Sequence, residues 1–343
     1  MNYNKILAIG FIGLALFSSC ADDLDKEPKL NLTDKEIFAD SQHIESNLLG
    51  IYGSAKSIIG LRLFNFNVAR GDEFINQSVN ANEAIASYEM TVGQTTSDNT
   101  ETWTKLYQTI NNANTFLEKI NDAKEIAGNN YGKWVAEAKF VRALSYYYLN
   151  SLYAQPYLLN KDAKSVPLRL KSEDNTGNNN LKRSTVAEID AQILEDLSDE
   201  NINNLPAAAG TYDAVTRATQ GAAHVLRQRI YMEQGQWDKA IEEGLAVKGY
   251  ILESDISNLF KSPFITNETI FSFPMSETNR GSRQSAPAYY FYDGTRFVID
   301  YTSGILSKAG YSITNDARVK ELTGKVGTQP ISTKFKDSQN YLD

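Results

Sequence analysis

Two stretches of the sequence, residues 70–77 followed by Tyr88 and residues 289–296, carry aromatic rings together with amide, carboxylate and guanidinium groups. Aromatic rings can stack on the apolar C–H faces of a sugar, and the polar groups can bond to its hydroxyls. Both stretches lie outside the clear helical patterns, so they suit a binding surface for an uncharged polar solute. The candidate ligand-binding residues are Asp72, Asn76, Tyr88, Tyr289, Tyr290, Tyr292 and Arg296. Other roles remain open, since the rings can pack in a core and Asp72 and Asn76 can stabilise turns.

The sequence gives little support for catalytic chemistry. It contains two histidines, His43 and His224, and a single cysteine, Cys20. No Cys-x-x-Cys or His-Glu-x-x-His spacing occurs, so we predict no metal site, no cofactor and structural roles for both histidines. The prediction is a binding protein rather than an enzyme. A lipid-anchored glycoside hydrolase stays open, because its two carboxylates would leave no motif among 42 acidic residues.

The charge balance argues against a nucleic-acid partner. The chain has 34 basic and 42 acidic residues, a formal net charge of -8, and no basic tract. Binding to phosphate backbones depends on clustered lysine and arginine. We therefore predict no nucleic-acid partner.

The N-terminus has the layout of a leader peptide. An apolar run from Ile6 to Phe17 is followed by two serines and then Cys20. The run is about as long as a signal-peptide core and too short to cross a bilayer comfortably. The junction resembles a lipobox, in which a peptidase cuts before a cysteine whose thiol is diacylated. We expect a signal peptide over residues 1–19, a lipid on Cys20 and a tether over residues 20–32; a secretory signal with an incidental cysteine is the alternative.

Helical periodicity dominates the region beyond the tether. Four helices are predicted. The first runs from Thr33 toward Ile59, the second covers residues 101–124, and the third covers residues 131–154. The fourth starts at Thr185, where Glu188 completes a capping box. Trp103 and Trp134 fall on apolar stripes of the second and third helices, so we expect both in the core. The long segment 61–99 has no clean period and is predicted to be functional or locally folded.

One further pair of helices carries a repeat signature. Tyr231, Gly235 and Ala240 have tetratricopeptide-like spacing, with Gly235 at the turn between two closely packed helices. Trp237 is predicted to pack at that turn. Residues 269–273 are predicted to form a short strand.

Four features in this order resemble the SusD/RagB family of outer-membrane nutrient-binding lipoproteins. They are the lipobox followed by residues 24–28, the pattern Trp103-x2-Leu106-Tyr107-x2-Ile110-x2-Ala113-Asn114, the helix over residues 136–149, and the helix pair over residues 222–240. The resemblance implies a predominantly all-α fold. Its core is a tetratricopeptide-like helical repeat, and irregular loops with a few short strands form the ligand face.

The resemblance also implies a function. Such proteins are surface lipoproteins that bind an oligosaccharide or other nutrient and deliver it to a SusC-like TonB-dependent outer-membrane transporter. The acidic residues 21–25 look like the surface-export signal of lipoproteins in bacteria that carry this family, which indicates a lipid-anchored location on the cell-surface side of the outer membrane. A periplasmic tetratricopeptide adaptor that binds other proteins is a further alternative.

One departure from the family pattern concerns the end of the chain. Relatives usually continue from about residue 318 into another helix pair that closes the last repeat. We therefore expect residues 33–343 to form one SusD-like helical domain that lacks its C-terminal part.

Overall fold

The structure is a computed structural model. It describes residues 34–77, 84–175, 177, 179–207, 215–261, 265–273, 275, 286–292, 296–302, 307 and 316–336. The predicted signal peptide, Cys20 and the predicted tether lie outside the described residues. None of the described helices is both long and apolar enough to span a lipid bilayer.

Helices make up most of the described chain, which confirms the predicted fold class. They are α1 (Asp34–Ile37), α2 (Ser41–Ala55), α3 (Phe64–Ala69), α4 (Ile85–Tyr88), α5 (Ser97–Asp122), α6 (Lys124–Ala127), α7 (Tyr131–Tyr153), α8 (Tyr157–Asn160), α9 (Val186–Asp196), α10 (Asp199–Asn204), α11 (Gln220–Glu233), α12 (Trp237–Ala246), α13 (Pro287–Phe291) and α14 (Ala317–Leu322). A π-helical segment, Lys56–Leu63, joins α2 to α3, and short 3-10 turns cover Gly128–Asn130 and Ile256–Phe260.

The strands form three two-stranded antiparallel pairs within the described residues. They are β1 (Phe74–Asn76) with β4 (Phe297–Ile299), β2 (Lys164–Pro167) with β3 (Arg183–Thr185), and β5 (Thr323–Val326) with β6 (Gln329–Ser332). The first pair joins residues that are far apart in the chain. The other two pairs are more local.

The first predicted helix is interrupted, which corrects the single run expected from Thr33. Thr33 itself lies outside the described residues. The main helix starts only after Asp40, whose side chain accepts a hydrogen bond from the His43 backbone N–H at 2.9 Å. An acidic cap of this kind satisfies a backbone donor that the first helical turn leaves unpaired. Helical structure then continues past Ile59 to Ala69, so the start of the segment 61–99, predicted to be functional or locally folded, is helical.

The two long central helices are confirmed within a few residues. α5 buries one stripe that includes Leu106, Ile110 and Ile120, and α7 packs along it. Trp134 is buried as predicted. Trp103 is only half-buried and packs its ring against the edge of Tyr153 at 5.0 Å.

The capping box before α9 is also confirmed. The Thr185 side chain accepts a bond from the Glu188 backbone N–H at 3.2 Å, and the Glu188 carboxylate accepts one from the Thr185 N–H at 2.7 Å. Two donors at the helix start are thereby satisfied by two side chains.

The predicted repeat pair is present as α11 and α12, with Gly235 at a φ of +69° in the turn. The expectation that Trp237 packs at this turn is wrong, because its side chain is 60% exposed. α12 packs through the face that carries Ala240 and Glu243. Trp237 and Ile241, one turn apart, lie on the outward face.

The strand predicted over residues 269–273 does not form. This segment has no regular secondary structure, and the Ser272 N–H donates to the Val215 carbonyl at 2.8 Å. The rings of Phe271 and Phe273 pack on the helical core instead of lying in a ladder. The β-like composition therefore reflects burial beside α7 rather than pairing with a strand.

Most buried apolar residues in the described part of the chain fall into two clusters. The larger one lies among α2, α5, α7, α9 and α11, and the smaller one surrounds β1 and β4. The larger cluster contains a buried ion pair, in which the Arg142 guanidinium donates to the two Asp196 carboxylate oxygens at 2.6 and 2.8 Å. Arg142 also donates to Asn114 at 2.8 Å, which links three helices through one side chain.

Candidate ligand-binding site

The pairing of β1 with β4 brings the two predicted ligand-binding stretches together. Phe74 lies opposite Ile299 and Asn76 lies opposite Phe297. The Gln77 N–H extends the pairing with a hydrogen bond to the Arg296 carbonyl at 2.7 Å. Residues that are more than two hundred positions apart in the chain therefore share one small sheet, which we call the β1–β4 face.

Most aromatic rings on these stretches form the smaller core cluster. The ring centroids of Phe74 and Phe291 are 4.9 Å apart, and those of Phe291 and Phe297 are 5.5 Å apart. Tyr290 is 1% exposed and belongs to the same cluster. Its ring is enclosed by protein in this structure, so packing is the role that the geometry gives to this candidate residue.

Tyr289 and Arg296 form a second unit beside the cluster. The Arg296 guanidinium lies 3.5 Å from the centroid of the Tyr289 ring and donates a hydrogen bond to the Tyr289 carbonyl at 3.0 Å. Both side chains are half-buried. A cation held over an aromatic face is a rigid arrangement that presents both an apolar surface and N–H donors.

The remaining candidates lie around these rings. Tyr88, at the end of α4, packs edge-on against Phe297 at 5.7 Å and is half-buried. Tyr292 is half-buried just after α13, and Asn76 is half-buried at the end of β1. Asp72 is exposed in the turn between α3 and β1. The structure thus groups the candidates around one sheet but leaves them unequally accessible.

Two cavities lie next to this region. One of about 300 Å³ is lined by Asn67, Arg70, Asn99 and Tyr153 among others. The second cavity, of about 110 Å³, is lined by Glu73 and Arg318 among others. Neither cavity is lined by any of the seven candidate residues. Arg70 and Glu73 lie in the first predicted stretch. Asn67, Asn99, Tyr153 and Arg318 come from α3, α5, α7 and α14, which only the tertiary fold brings together.

Tyr153 and Ser87 set the polarity of the larger of these two cavities. The Tyr153 hydroxyl donates to the Asn99 carbonyl at 2.8 Å, and burial raises the pKa of Tyr153 to about 12. The Ser87 hydroxyl donates to Asp98 at 2.6 Å. Near neutral pH this cavity therefore offers a neutral phenol, and its Asp98 side chain already accepts a hydrogen bond within the protein.

Metal-binding groups are not clustered in the described part of the chain. No three histidine, cysteine, aspartate or glutamate side chains there are close enough together to hold an ion. His43 contacts the Asp40 side chain, and His224 shares a 2.7 Å hydrogen bond with Glu243. Both histidines take part in contacts of the helical scaffold.

Comparison with known proteins gives a consistent result. The sequence profile of the family SusD-like_3, described as "Starch-binding associating with outer membrane", matches residues 22–232. A SusD superfamily protein from Bacteroides fragilis superposes with a TM-score of 0.85 at 45% identity, over 89% of this chain and 71% of that chain.

The chain belongs to the SusD/RagB family.

More distant relatives also match this chain. A laminarin-binding SusD-like protein superposes with a TM-score of 0.72 at 18% identity, over 89% of this chain and 76% of that chain. SusD-like protein P25 of Formosa agariphila is 22% identical over 261 residues, which are 72% of this chain and 46% of that protein. The SusD/RagB chain described here thus spans less than half the length of this curated relative.

Proposed function

We propose that this SusD/RagB protein binds an oligosaccharide at its β1–β4 face and delivers it, without catalysis or cofactor, to a SusC-like TonB-dependent transporter. The observation that carries this proposal is the pairing of β1 with β4, which groups polar and aromatic candidates from two stretches far apart in the chain. Membership of a family described as starch-binding supports the class of ligand. The known binding of laminarin by a relative with this fold points to the same class.

The accessible members of the set suit recognition of a neutral sugar. Asp72 is exposed, and Tyr292 and the Arg296–Tyr289 unit are half-buried. Arginine donors and carboxylate acceptors can bond to hydroxyls, while the aromatic faces contact the C–H surface of the ring. Tyr290, which is enclosed, contacts the Tyr289 ring in a T-shaped arrangement, with centroids 5.2 Å apart.

Calorimetric titration tests the binding site. Maltohexaose and laminarihexaose serve as probes against the wild-type chain and against Asp72→Ala, Tyr292→Ala and Arg296→Gln. We expect each variant to weaken binding by about tenfold, since each removes a contact worth roughly 1–1.5 kcal/mol. Trp237→Ala, which removes an exposed ring outside this face, is the matched control. Unchanged affinity in all three variants would place the ligand elsewhere.

The absence of catalysis is tested in the same samples. Release of reducing ends from starch and laminarin should stay at the level of a blank without protein. Release that depends on the wild-type chain would support the glycoside hydrolase alternative.

We further propose that residues 1–19 are a signal peptide, that Cys20 carries the lipid, and that residues 20–32 tether the domain to the outer membrane. Metabolic labelling with radioactive palmitate should mark the wild type and leave Cys20→Ser unlabelled. Protease treatment of intact cells should remove a surface-exposed protein, whereas protection would favour the periplasmic adaptor. Affinity capture of the lipidated protein should recover a TonB-dependent barrel, and its absence would contradict the delivery step.

A further inference from the structure

A groove of about 640 Å³ lies between α5 and the segment that follows β2. Its volume is within the range of about 300–1,000 Å³ that is typical of small-molecule sites. It shares no lining residue with the two cavities beside the β1–β4 face. The groove is therefore a separate feature of the surface.

One wall of the groove is aromatic. Trp103 and Tyr107 lie one turn apart on α5, both half-buried, with ring centroids 4.9 Å apart and an interplanar angle of 48°. The T-shaped contact between the Trp103 and Tyr153 rings, whose centroids are 5.0 Å apart, further restricts the indole. Two positioned rings thus offer apolar faces without free rotation.

The opposite wall is polar but carries no net charge. Arg169 and Glu173 form an ion pair at 2.9 Å, with 20% and 18% of their side chains exposed. Thr104 and Gln108 add a hydroxyl and an amide at the exposed edge of α5. Donors and acceptors are thus present on both sides of the aromatic surface.

Side chains from α5 hold the polar wall in place. The Tyr107 hydroxyl donates to the Pro167 carbonyl at 2.6 Å. The Asn111 amide donates to the Glu173 carbonyl at 3.1 Å and accepts from the Glu173 N–H at 2.7 Å. Asn114 donates to the Arg169 carbonyl at 3.1 Å. Because the wall is fixed before a ligand arrives, binding loses little conformational entropy.

We propose that this groove is a second saccharide-binding site, separate from the β1–β4 face. The inference rests on the proposed function in that both sites serve one class of ligand. A sugar ring stacks on Trp103 while its hydroxyls bond to Arg169 and Glu173. A neutral polar ligand fits best, because an anion would need unpaired positive charge and an apolar ligand would desolvate the ion pair without compensation.

The test is calorimetric titration of the full chain with maltohexaose and laminarihexaose. Trp103→Ala removes the ring, and Thr104→Arg places a long charged side chain at the exposed rim without touching the core. We expect each variant to weaken saccharide binding at one of the two proposed sites, the groove, by about tenfold or more. Trp237→Ala, the matched loss of an exposed tryptophan, should bind like the wild type.

The outcomes separate this inference from the proposed function. If the wild type binds and both groove variants bind equally well, the groove is not a saccharide site and the β1–β4 face stands. If only Trp103→Ala loses binding and its thermal midpoint also falls, the loss is structural and the groove assignment fails. If the wild type binds neither probe, both assignments fail. Loss in both groove variants, with wild-type thermal midpoints, supports the second site.

Discussion

Asp196 and Arg142 illustrate how a buried charge is tolerated in this protein. Burial raises the pKa of the Asp196 carboxyl, and the hydrogen bonds and charge of Arg142 oppose that rise. Desolvation of both groups offsets much of their attraction, so the pair itself adds little stability. Removal of one partner is a different matter, because the other is then left buried and uncompensated.

We predict that Arg142→Gln lowers the free energy of unfolding by about 3–5 kcal/mol at pH 7. Arg318→Gln, which breaks the solvent-screened contact with Asp316, should cost far less. Urea denaturation measures the loss of unfolding free energy in both variants. The loss in Arg142→Gln should shrink as the pH falls, because the unpaired Asp196 carboxyl then takes up a proton more readily in the folded state than in the unfolded one. A loss that does not depend on pH would show that packing, not charge, dominates.

Tyr153 gives a prediction for alkaline pH. Burial raises its pKa from 10.0 to about 12, so between these values the unfolded chain loses a proton that the folded chain keeps. Stability therefore falls as the pH rises through this window. We predict that Tyr153→Phe is less stable than the wild type near pH 7, where it lacks the bond to Asn99, but declines less steeply above pH 10. Thermal midpoints from circular dichroism at pH 7 to 11.5 measure the difference, and parallel curves would contradict it.

The turn between α11 and α12 depends on one backbone conformation. Gly235 has a φ of +69°, and an added Cβ would lie 3.2 Å from Leu158 Cδ2. Residues with a side chain pay about 1–2 kcal/mol for left-handed backbone. We predict that Gly235→Ala lowers the free energy of unfolding by about this amount.

Gly50 provides the matched control. It lies on the exposed face of α2, and an added Cβ there would have nothing within 4 Å. We predict that Gly50→Ala raises the free energy of unfolding by about 0.5–1 kcal/mol, because alanine restricts the unfolded chain and favours the helix. Thermal and urea unfolding should give opposite signs for the two substitutions, and equal signs would contradict the assignment of the turn.

At the scale of the molecule, the described residues contain two buried clusters of different origin. The larger cluster joins long helices. The smaller one depends on the pairing of β1 with β4, two strands that are far apart in the sequence. Because this strand pairing consists of only three residue pairs, the smaller cluster can open locally while the helical core remains intact. This difference matters for function, because the candidate site rests on the smaller cluster.

We predict that two phenylalanine deletions behave differently in hydrogen exchange. Phe297→Ala, in the smaller cluster, should accelerate exchange around β1 and β4 while α5 and α7 stay protected. Phe116→Ala, in the larger cluster, should accelerate exchange throughout α5 and α7. Both rings are fully buried, so each loss should cost about 3–5 kcal/mol where it acts. Uniform acceleration by Phe297→Ala would mean that the two clusters unfold together.

Helix positions were largely predictable from the sequence because the signals are local. The stripe on α5, the capping box at Thr185 and Glu188, and the turn at Gly235 each depend on residues a few positions apart. Two local predictions were wrong. The start of the first long helix was missed because Asp40 caps it further along the chain, and residues 269–273 were predicted as a strand because their apolar residues pack on the helical core. Trp237 was misjudged because its exposure depends on which face of α12 has a neighbour.

The candidate site was less predictable from the sequence than the helices were. Composition alone pointed to the two stretches around Asp72 and Arg296, since few other segments combine rings with polar groups. Which rings stay accessible was decided by the pairing of β1 with β4, which encloses Tyr290 and leaves Tyr289 stacked under Arg296. The groove beside Trp103 likewise exists only because a distant segment folds back along α5. Such contacts depend on long-range closure of the chain, and no spacing of neighbouring residues encodes them.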